Sequence, residues 1–224
     1  MKAQVILTSY IRPKYLIPTV ESLRQDDIEL YIIDGGSDDE TIKFIKQNSD
    51  GCILFKDNPG ADYLKTEGIK KFVTNDRFII TSDDIVFTKG YSERIMESHD
   101  KLNVNGLKWD FVACGKDRHS EKPWCNNFIT VNGIEVMPVR HCQVSGAVIT
   151  TELCKSVGYF PVFGKSGQGD LAYSTLMKNK GIRIGYFKDI IIEHIGQFKF
   201  RDYPDYTKDF QADEKIYVPK AKQI

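Results

Sequence analysis

The 224-residue sequence has no net formal charge, its 31 basic side chains balancing 31 acidic ones. A whole-molecule basic field for gripping nucleic acid is therefore missing, which leaves only a local patch open. There is no Gly-x-Gly-x-x-Gly and no Gly-x4-Gly-Lys-Ser/Thr segment, so neither a dinucleotide fingerprint nor a P-loop is available. Cysteine is sparse. Cys52, Cys114, Cys125, Cys142 and Cys154 form no Cys-x-x-Cys pair, and an odd count without a secretory segment reads as reduced thiols in a cytoplasmic setting. Their main role is expected to be that of small buried hydrophobes. No apolar run approaches the ~20 residues a spanning helix needs. The short apolar run inside Met1–Tyr15 is ended by polar residues, so it reads as neither signal peptide nor membrane anchor. Repeats, low-complexity tracts and Pro/Gly-rich linkers are also missing.

What is present is an ordinary globular balance, 41% hydrophobic and 28% charged, on a chain long enough to bury a substantial core. Short β-branched runs alternate with helical patterns through the first half. Strands are expected at Ala3–Thr8, Leu30–Asp34, Cys52–Phe55 and Arg77–Thr81. Helices are expected at Pro13–Gln25, Ser37–Gln47 and Ala61–Val73. This alternation implies βαβ units and a mostly parallel sheet, and the runs VIL, YII and FII fit strands covered on both faces. Ser37 and Glu40 read as a capping box. Beyond about residue 105 the pattern becomes mixed: a strand at Trp109–Cys114, a hairpin over Phe128–Val136 turning at Asn132-Gly133, and a strand at Val144–Ile149. A helix over Gly169–Asn179 ended by Gly181 and strands at Ile182–Phe187 and Ile190–Glu193 follow. The organisation expected is one domain over 1–196, with a first half to about 105 and a second half from about 106, followed by a polar, aromatic tail over 197–224.

Functional groups of open α/β sheets gather at the carboxyl ends of the strands. Four polar clusters fall there: Thr8-Ser9-Tyr10-Ile11-Arg12-Pro13, Asp34-Gly35-Gly36-Ser37-Asp38-Asp39, Asn58-Pro59-Gly60 and Thr81-Ser82-Asp83-Asp84. Two adjacent carboxylates, Asp83 and Asp84, are costly to crowd unless a cation offsets them. Mg²⁺ or Mn²⁺ commonly bridges such groups to substrate phosphates. Capping of a helix starting near Thr88 is the plainer alternative. Asp34 precedes two glycines that let backbone approach a ligand closely.

Taken in order, these segments resemble family 2 type GT-A glycosyltransferases. Val5–Tyr10 with Arg12, and Tyr31–Asp39, are similar to the opening of that family. Asn58-Pro59-Gly60 resembles its Asn-x-Gly loop, and Phe78–Asp84 its strand with the metal-binding Asp-x-Asp. Val144-Ser145-Gly146-Ala147 resembles its acceptor-side strand. Gly167–Leu171 leading to Lys180–Ile184 resembles the segment with the catalytic carboxylate. Ile192-Glu193-His194 resembles the late strand that ends in a metal-contacting histidine. The likeness spans roughly residues 3–196. Two positions depart from the pattern: Thr81 stands where the first Asp is usual, and Gly169-Asp170 stands for Glu-Asp.

The resemblance implies a single Rossmann-like GT-A α/β domain. It has a mostly parallel central sheet, helices on both faces and a smaller mixed acceptor-side sheet. It implies transfer from a nucleotide-diphosphate sugar, with a UDP-sugar favoured, to a hydroxyl acceptor. That acceptor is a glycan by default, with a protein or a modified DNA base left open. Asp83 and His194, with Asp84 weaker, are the expected Mn²⁺ or Mg²⁺ ligands, which offset charge on the leaving diphosphate. Thr8, Tyr10, Arg12, Asp34, Asn58 and Ser82 are the expected nucleotide contacts. Asp170 is the expected base, implying inversion, against a plainer role as helix N-cap. Two other classes stay open. A nucleotidyltransferase would want an early glycine-rich basic loop, which Thr8–Lys14 lacks. A non-catalytic sugar-nucleotide or carbohydrate-binding module would account for the two absent carboxylates. The tail, with Phe198, Phe200, Tyr203 and Tyr206, is read as a lid, an acceptor platform, an oligomer contact or a solvated extension.

Overall fold

The structure is a computed structural model describing residues 2–117, 127–162 and 169–196. The tail, Cys125 and the segment 163–168 lie outside the described residues. The first half has the expected alternation: β1 (Ala3–Ser9), α1 (Pro13–Leu23), β2 (Ile28–Asp34), α2 (Asp39–Asn48), β3 (Gly51–Leu54), α3 (Ala61–Phe72) and β4 (Arg77–Ser82). Next come β5 (Ile85–Phe87), α4 (Tyr91–Leu102), β6 (Trp109–Asp117), β7 (Ile129–Val131) and β8 (Ile134–Pro138). The order closes with β9 (Ala147–Thr150), α5 (Thr151–Val157), α6 (Gly169–Asn179) and β10 (Arg183–His194).

All the strands join one sheet in the order β3-β2-β1-β4-β9-β6-β10-β8-β7, with β5 pairing β10. Among the described strands only β5, β8 and β9 run against the rest. The strands of the second half thus continue the central sheet, because β9 pairs antiparallel with both β4 and β6. Side-chain alternation splits the core into two layers, one on each face. Val5, Leu7, Leu30 and Ile32 lie in one apolar cluster, while Ile6, Ile33, Phe78 and Ile80 lie in the other. Every one of these side chains is fully buried, and each such burial contributes roughly 1.5–3 kcal/mol. Close seating of α3 on the sheet depends on Gly68, where a Cβ would press on Ile33 and Ile6.

Several local expectations are corrected. Asp38, not Ser37, caps α2, its carboxylate accepting from the Thr41 amide at 2.8 Å. Ser37 instead donates its hydroxyl to Asp34 at 2.7 Å, because the Asx turn after β2 claims it first. The helix expected near Thr88 starts at Tyr91. Its end is satisfied by Asp26, which accepts from Gly90 N at 2.6 Å and Ser92 N at 2.8 Å, so Asp83 and Asp84 do not cap it. The strand expected from Val144 begins at Ala147, since Gly146 takes a left-handed φ of 61°. The two late strands are one, β10, with a register shift between Phe187 and Ile191 that absorbs the polar Lys188-Asp189. The hairpin at Asn132-Gly133 forms as expected, with φ of 50° and 79°.

Candidate active site

The loops after the parallel strands converge on the carboxyl edge. Thr8 pairs in register with Ile33 of β2 and Ser82 of β4, so the ends of three strands stand side by side. Beyond β1, Ile11 has φ 48°, an uncommon conformation for a β-branched residue. Its amide donates to Ser37 Oγ at 3.1 Å. That bent loop delivers Arg12 at the start of α1. Gly35 sits where the loops from β1, β2 and β3 touch: a Cβ there would lie 3.2 Å from Asn58 Oδ1 and 3.4 Å from Tyr10 Cδ2. Asn58 holds its own loop by accepting from Gly60 N at 2.9 Å.

Asp34 is wholly buried. Its Oδ1 accepts from Gly36 N at 3.0 Å and Ser37 N at 2.7 Å, and its Oδ2 accepts from the Ser37 hydroxyl. The side chain therefore builds the loop whose outer face could meet a ligand.

The charged centre lies at the end of β4. Arg12 reaches both carboxylates, pairing with Asp83 through one guanidinium nitrogen and with Asp84 Oδ2 through the other at 3.3 Å. Asp83 is 0% exposed and also accepts from the Tyr10 amide at 3.3 Å. Its backbone is fixed by Thr19, which donates to the Asp83 carbonyl at 3.0 Å and accepts from Ile85 N at 3.2 Å. Asp84 accepts from Ser82 Oγ at 2.6 Å and from His194 Nε2 at 3.1 Å. His194 arrives there because β5 pairs antiparallel with the end of β10, opposing His194 to Ile85. Gly196 lets the chain pass, since a Cβ would sit 2.6 Å from Asp84 Oδ2.

Electrostatics separates the two acids. Burial lifts Asp83 to about 6, opposed by Arg12 and assisted by the charge of Asp84. Burial pushes Asp84 up as well, but the His194 hydrogen bond and the Arg12 charge outweigh it and hold Asp84 below the usual carboxylate range. Asp84 is thus an ionised oxygen donor facing an imidazole nitrogen, with Asp83 behind it against Arg12. Among the described residues no group of three or more His, Cys, Asp or Glu side chains is arranged to hold a metal ion. The donor set is one carboxylate and one imidazole, a pair that suits a divalent ion completing its shell with phosphate oxygens and water.

Asp170 lies in a second cluster. It does not cap α6 with its carboxylate; Oδ1 accepts from Lys65 Nζ at 2.8 Å and Oδ2 from Val144 N at 3.1 Å. Lys65 also donates to Asp62 Oδ1 at 3.1 Å. α3 links the two clusters, because it starts directly after Asn58-Pro59-Gly60 and carries Asp62 and Lys65. Lys65, Asp62 and Thr19 are functional neighbours that the sequence reading misses. Lys65 finds Asp170 105 residues away and Thr19 finds Asp83 64 residues away, beyond any local pattern, and Asp62 joins them through Lys65.

The family model described as glycosyl transferase family 2 matches residues 4–139. No curated protein sequence matches the chain. Among solved structures, S. aureus TarS 1–349 aligns with a TM-score of 0.65 at 17% identity, covering 86% of this chain and 59% of that one. TarS 1–349 in complex with UDP-GlcNAc aligns with a TM-score of 0.67 at 15% identity, covering 95% and 66%. GalNAc-T7 with UDP, GalNAc and Mn²⁺ aligns with a TM-score of 0.68 at 11% identity, covering 89% and 45%. The chain thus spans less than two thirds of the proteins it resembles. Their likeness supports the same mixed α/β architecture, and the family match covers more than half of the sequence. With its strand-end acids, Asn-x-Gly loop and late histidine set on this sheet, the chain belongs to glycosyl transferase family 2 and has the GT-A fold.

Proposed function

We propose that the protein transfers a sugar from a UDP-sugar to a hydroxyl acceptor, with a divalent cation at Asp84 and His194 and with Asp170 as base. The observation that carries this reading is the convergence of Arg12, Asp83, Asp84 and His194 at the carboxyl edge of the sheet. The donor class is supported by the UDP-GlcNAc and the UDP with Mn²⁺ recorded for the neighbours. Four free cysteines, Cys52, Cys114, Cys142 and Cys154, are the support for a cytoplasmic setting. No helix among the described residues is long and apolar enough to cross a membrane.

In this reading Arg12 receives the diphosphate, and Tyr10 and Asn58 flank the nucleoside. Thr8 and Ser82 form the floor. Asp34 acts on the nucleoside chiefly through the loop it organises. When bound, Mn²⁺ or Mg²⁺ offsets the negative charge that develops on the departing diphosphate. Asp84 and His194 would hold it, with Asp83 fixing Arg12 and the Tyr10 amide beside them. At the sugar, the acceptor oxygen forms a bond to the anomeric carbon as the bond to the diphosphate oxygen breaks, and UDP leaves with that electron pair. The acceptor proton passes to Asp170, a carboxylate with two lone pairs beyond those used by Lys65 and Val144. Attack opposite the leaving group inverts the anomeric centre. A glycan is the favoured acceptor.

UDP release from a panel of UDP-sugars, with water as acceptor and with or without Mn²⁺, tests the reading. Mn²⁺-dependent UDP release from at least one sugar is expected. Binding of UDP-sugars with no release under any condition would favour a sugar-nucleotide-binding module instead.

A further inference from the structure

Gly169 precedes Asp170 at the start of α6, and the space beside it is filled from another element. A Cβ at Gly169 would overlap the carboxyl group of Asp62 on α3, so Asp62 can stand there only because residue 169 has no side chain. Asp62 is 1% exposed, and it shares Lys65 with Asp170. Lys65 is 5% exposed and lies 5.0 Å from the centre of the Phe160 ring.

We propose that Asp62 and Lys65 are positioning residues for Asp170: Lys65 fixes its carboxylate, and Asp62, in the space a Cβ at 169 would fill, shares that ammonium and sets how much of its charge falls on Asp170.

The charge arithmetic gives the mechanism. One ammonium shared by two carboxylates leaves the triad with one net negative charge. A Lys65–Asp170 pair alone would be neutral, with the whole of the ammonium's field on Asp170. With Asp62 present, part of that field is spent on the second acid. Without Lys65, two carboxylates face each other with no cation between them, and their repulsion goes unopposed. Burial lowers the proton affinity of Lys65, but the charges of Asp170 and Asp62 more than reverse this and keep it an ammonium. Other titratable neighbours are silent near neutrality. Burial pushes both Cys142 and Tyr186 upward, so each faces Asp170 uncharged. Among the described residues the Val144 amide also donates to Asp170, to its second carboxylate oxygen at 3.1 Å.

This inference rests on Asp170 being the base, so both are tested together. The assay is UDP release from UDP-GlcNAc across pH, with donor affinity and melting temperature measured for each variant. Asp62→Asn is close in shape and should fold. Its acid-limb midpoint should fall by about one pH unit, with kcat about 10-fold lower and donor Kd unchanged. Lys65→Met should move the midpoint upward by about one unit or more, and Lys65→Arg should restore a profile near the wild type. Shifts in opposite directions cannot come from loosened packing alone. Should Lys65→Met fail to fold, Asp62→Asn decides: an unmoved or raised midpoint overturns the proposal. An inactive Asp170→Asn alongside unshifted Asp62 and Lys65 profiles overturns the proposal and leaves the base intact. Wild-type release by Asp170→Asn overturns both.

Discussion

His194 donates from Nε2 to Asp84 Oδ2 at 3.1 Å, a contact between residues 110 positions apart that exists because β5 and β10 pair antiparallel with His194 opposite Ile85. The same carboxylate oxygen meets Arg12 at 3.3 Å. Arg12 thus stands beside the same oxygen at which the proposed cation would bind, so the guanidinium and the ion would compete for Asp84.

The first prediction follows from that competition. In Arg12→Ala, Asp83 and Asp84 lose their shared cation while remaining buried. Removing one partner of a buried pair is strongly destabilising, but Arg12 is partly exposed, so a loss of about 1–3 kcal/mol is expected in EDTA. Mn²⁺ should return much of it by occupying the same place. Denaturant melts with EDTA and with Mn²⁺ check this, and an Arg12→Ala protein equally stable in both would count against a cation at Asp84.

Asp34→Asn should act on both stability and donor binding. Asp34 accepts three hydrogen bonds within its own loop, and Asn cannot reproduce the pair to the Ser37 hydroxyl with the same charge. A loss of about 1–3 kcal/mol is expected. A disturbed loop weakens binding of ground state and transition state alike, so KM for the donor should rise while kcat stays near the wild type. A collapsed kcat at an unchanged KM would assign Asp34 to the chemistry instead.

Stability should fall in mild acid, partly through His99. This residue is buried, with Nε2 facing the Trp109 carbonyl at 2.7 Å and Nδ1 without a hydrogen-bond partner. Burial holds its pKa below the usual histidine value. The unfolded chain then binds a proton near pH 6.5 that the native state does not. The contribution is present in full above about pH 6.5 and is lost as pH falls toward the depressed native value, by at most about 1.4 kcal/mol per pH unit. His99→Gln should flatten stability between pH 7 and 5, as read by urea midpoints. An unchanged slope would place the acid sensitivity elsewhere.

Gly68→Ala tests the seat of α3 on the sheet. The added methyl would meet Ile33 Cδ1 at 2.5 Å and Ile6 Cγ2 at 3.0 Å. Overpacking of that kind costs about 1–3 kcal/mol, against a gain of up to about 1 kcal/mol in helix propensity. A lower urea midpoint at an unchanged m value is expected. A raised midpoint would mean that Ile33 yields freely.

Much of this architecture is legible in the sequence because its cause is local. The buried parallel strands announce themselves as β-branched runs such as Ile6-Leu7 and Ile32-Ile33. The turn at Asn132-Gly133 is written in residues that tolerate positive φ. What escapes is set by partners far along the chain. β5 is three residues long and is defined by its pairing with β10. α4 is capped by Asp26, 64 residues before Gly90. Ser37 looks like a cap until Asp34 claims its hydroxyl. The same holds at the site. The strand-end carboxylates are visible as a cluster, but nothing local tells that Asp84 rather than Asp83 meets His194. Gly169 reads as a lost acid, and only the fold brings Asp62 into its place.

Calorimetric titration of UDP-GlcNAc and other UDP-sugars into the wild-type protein and into Asp84→Asn, each with Mn²⁺ and with EDTA, tests the donor site most directly. The wild type should bind at least one UDP-sugar, at least about 10-fold more tightly with Mn²⁺, a difference of about 1.4 kcal/mol. Asp84→Asn should bind the same sugar with equal affinity in both buffers. No binding of any UDP-sugar by the wild type in saturating Mn²⁺, or an undiminished Mn²⁺ effect in Asp84→Asn, would contradict the account.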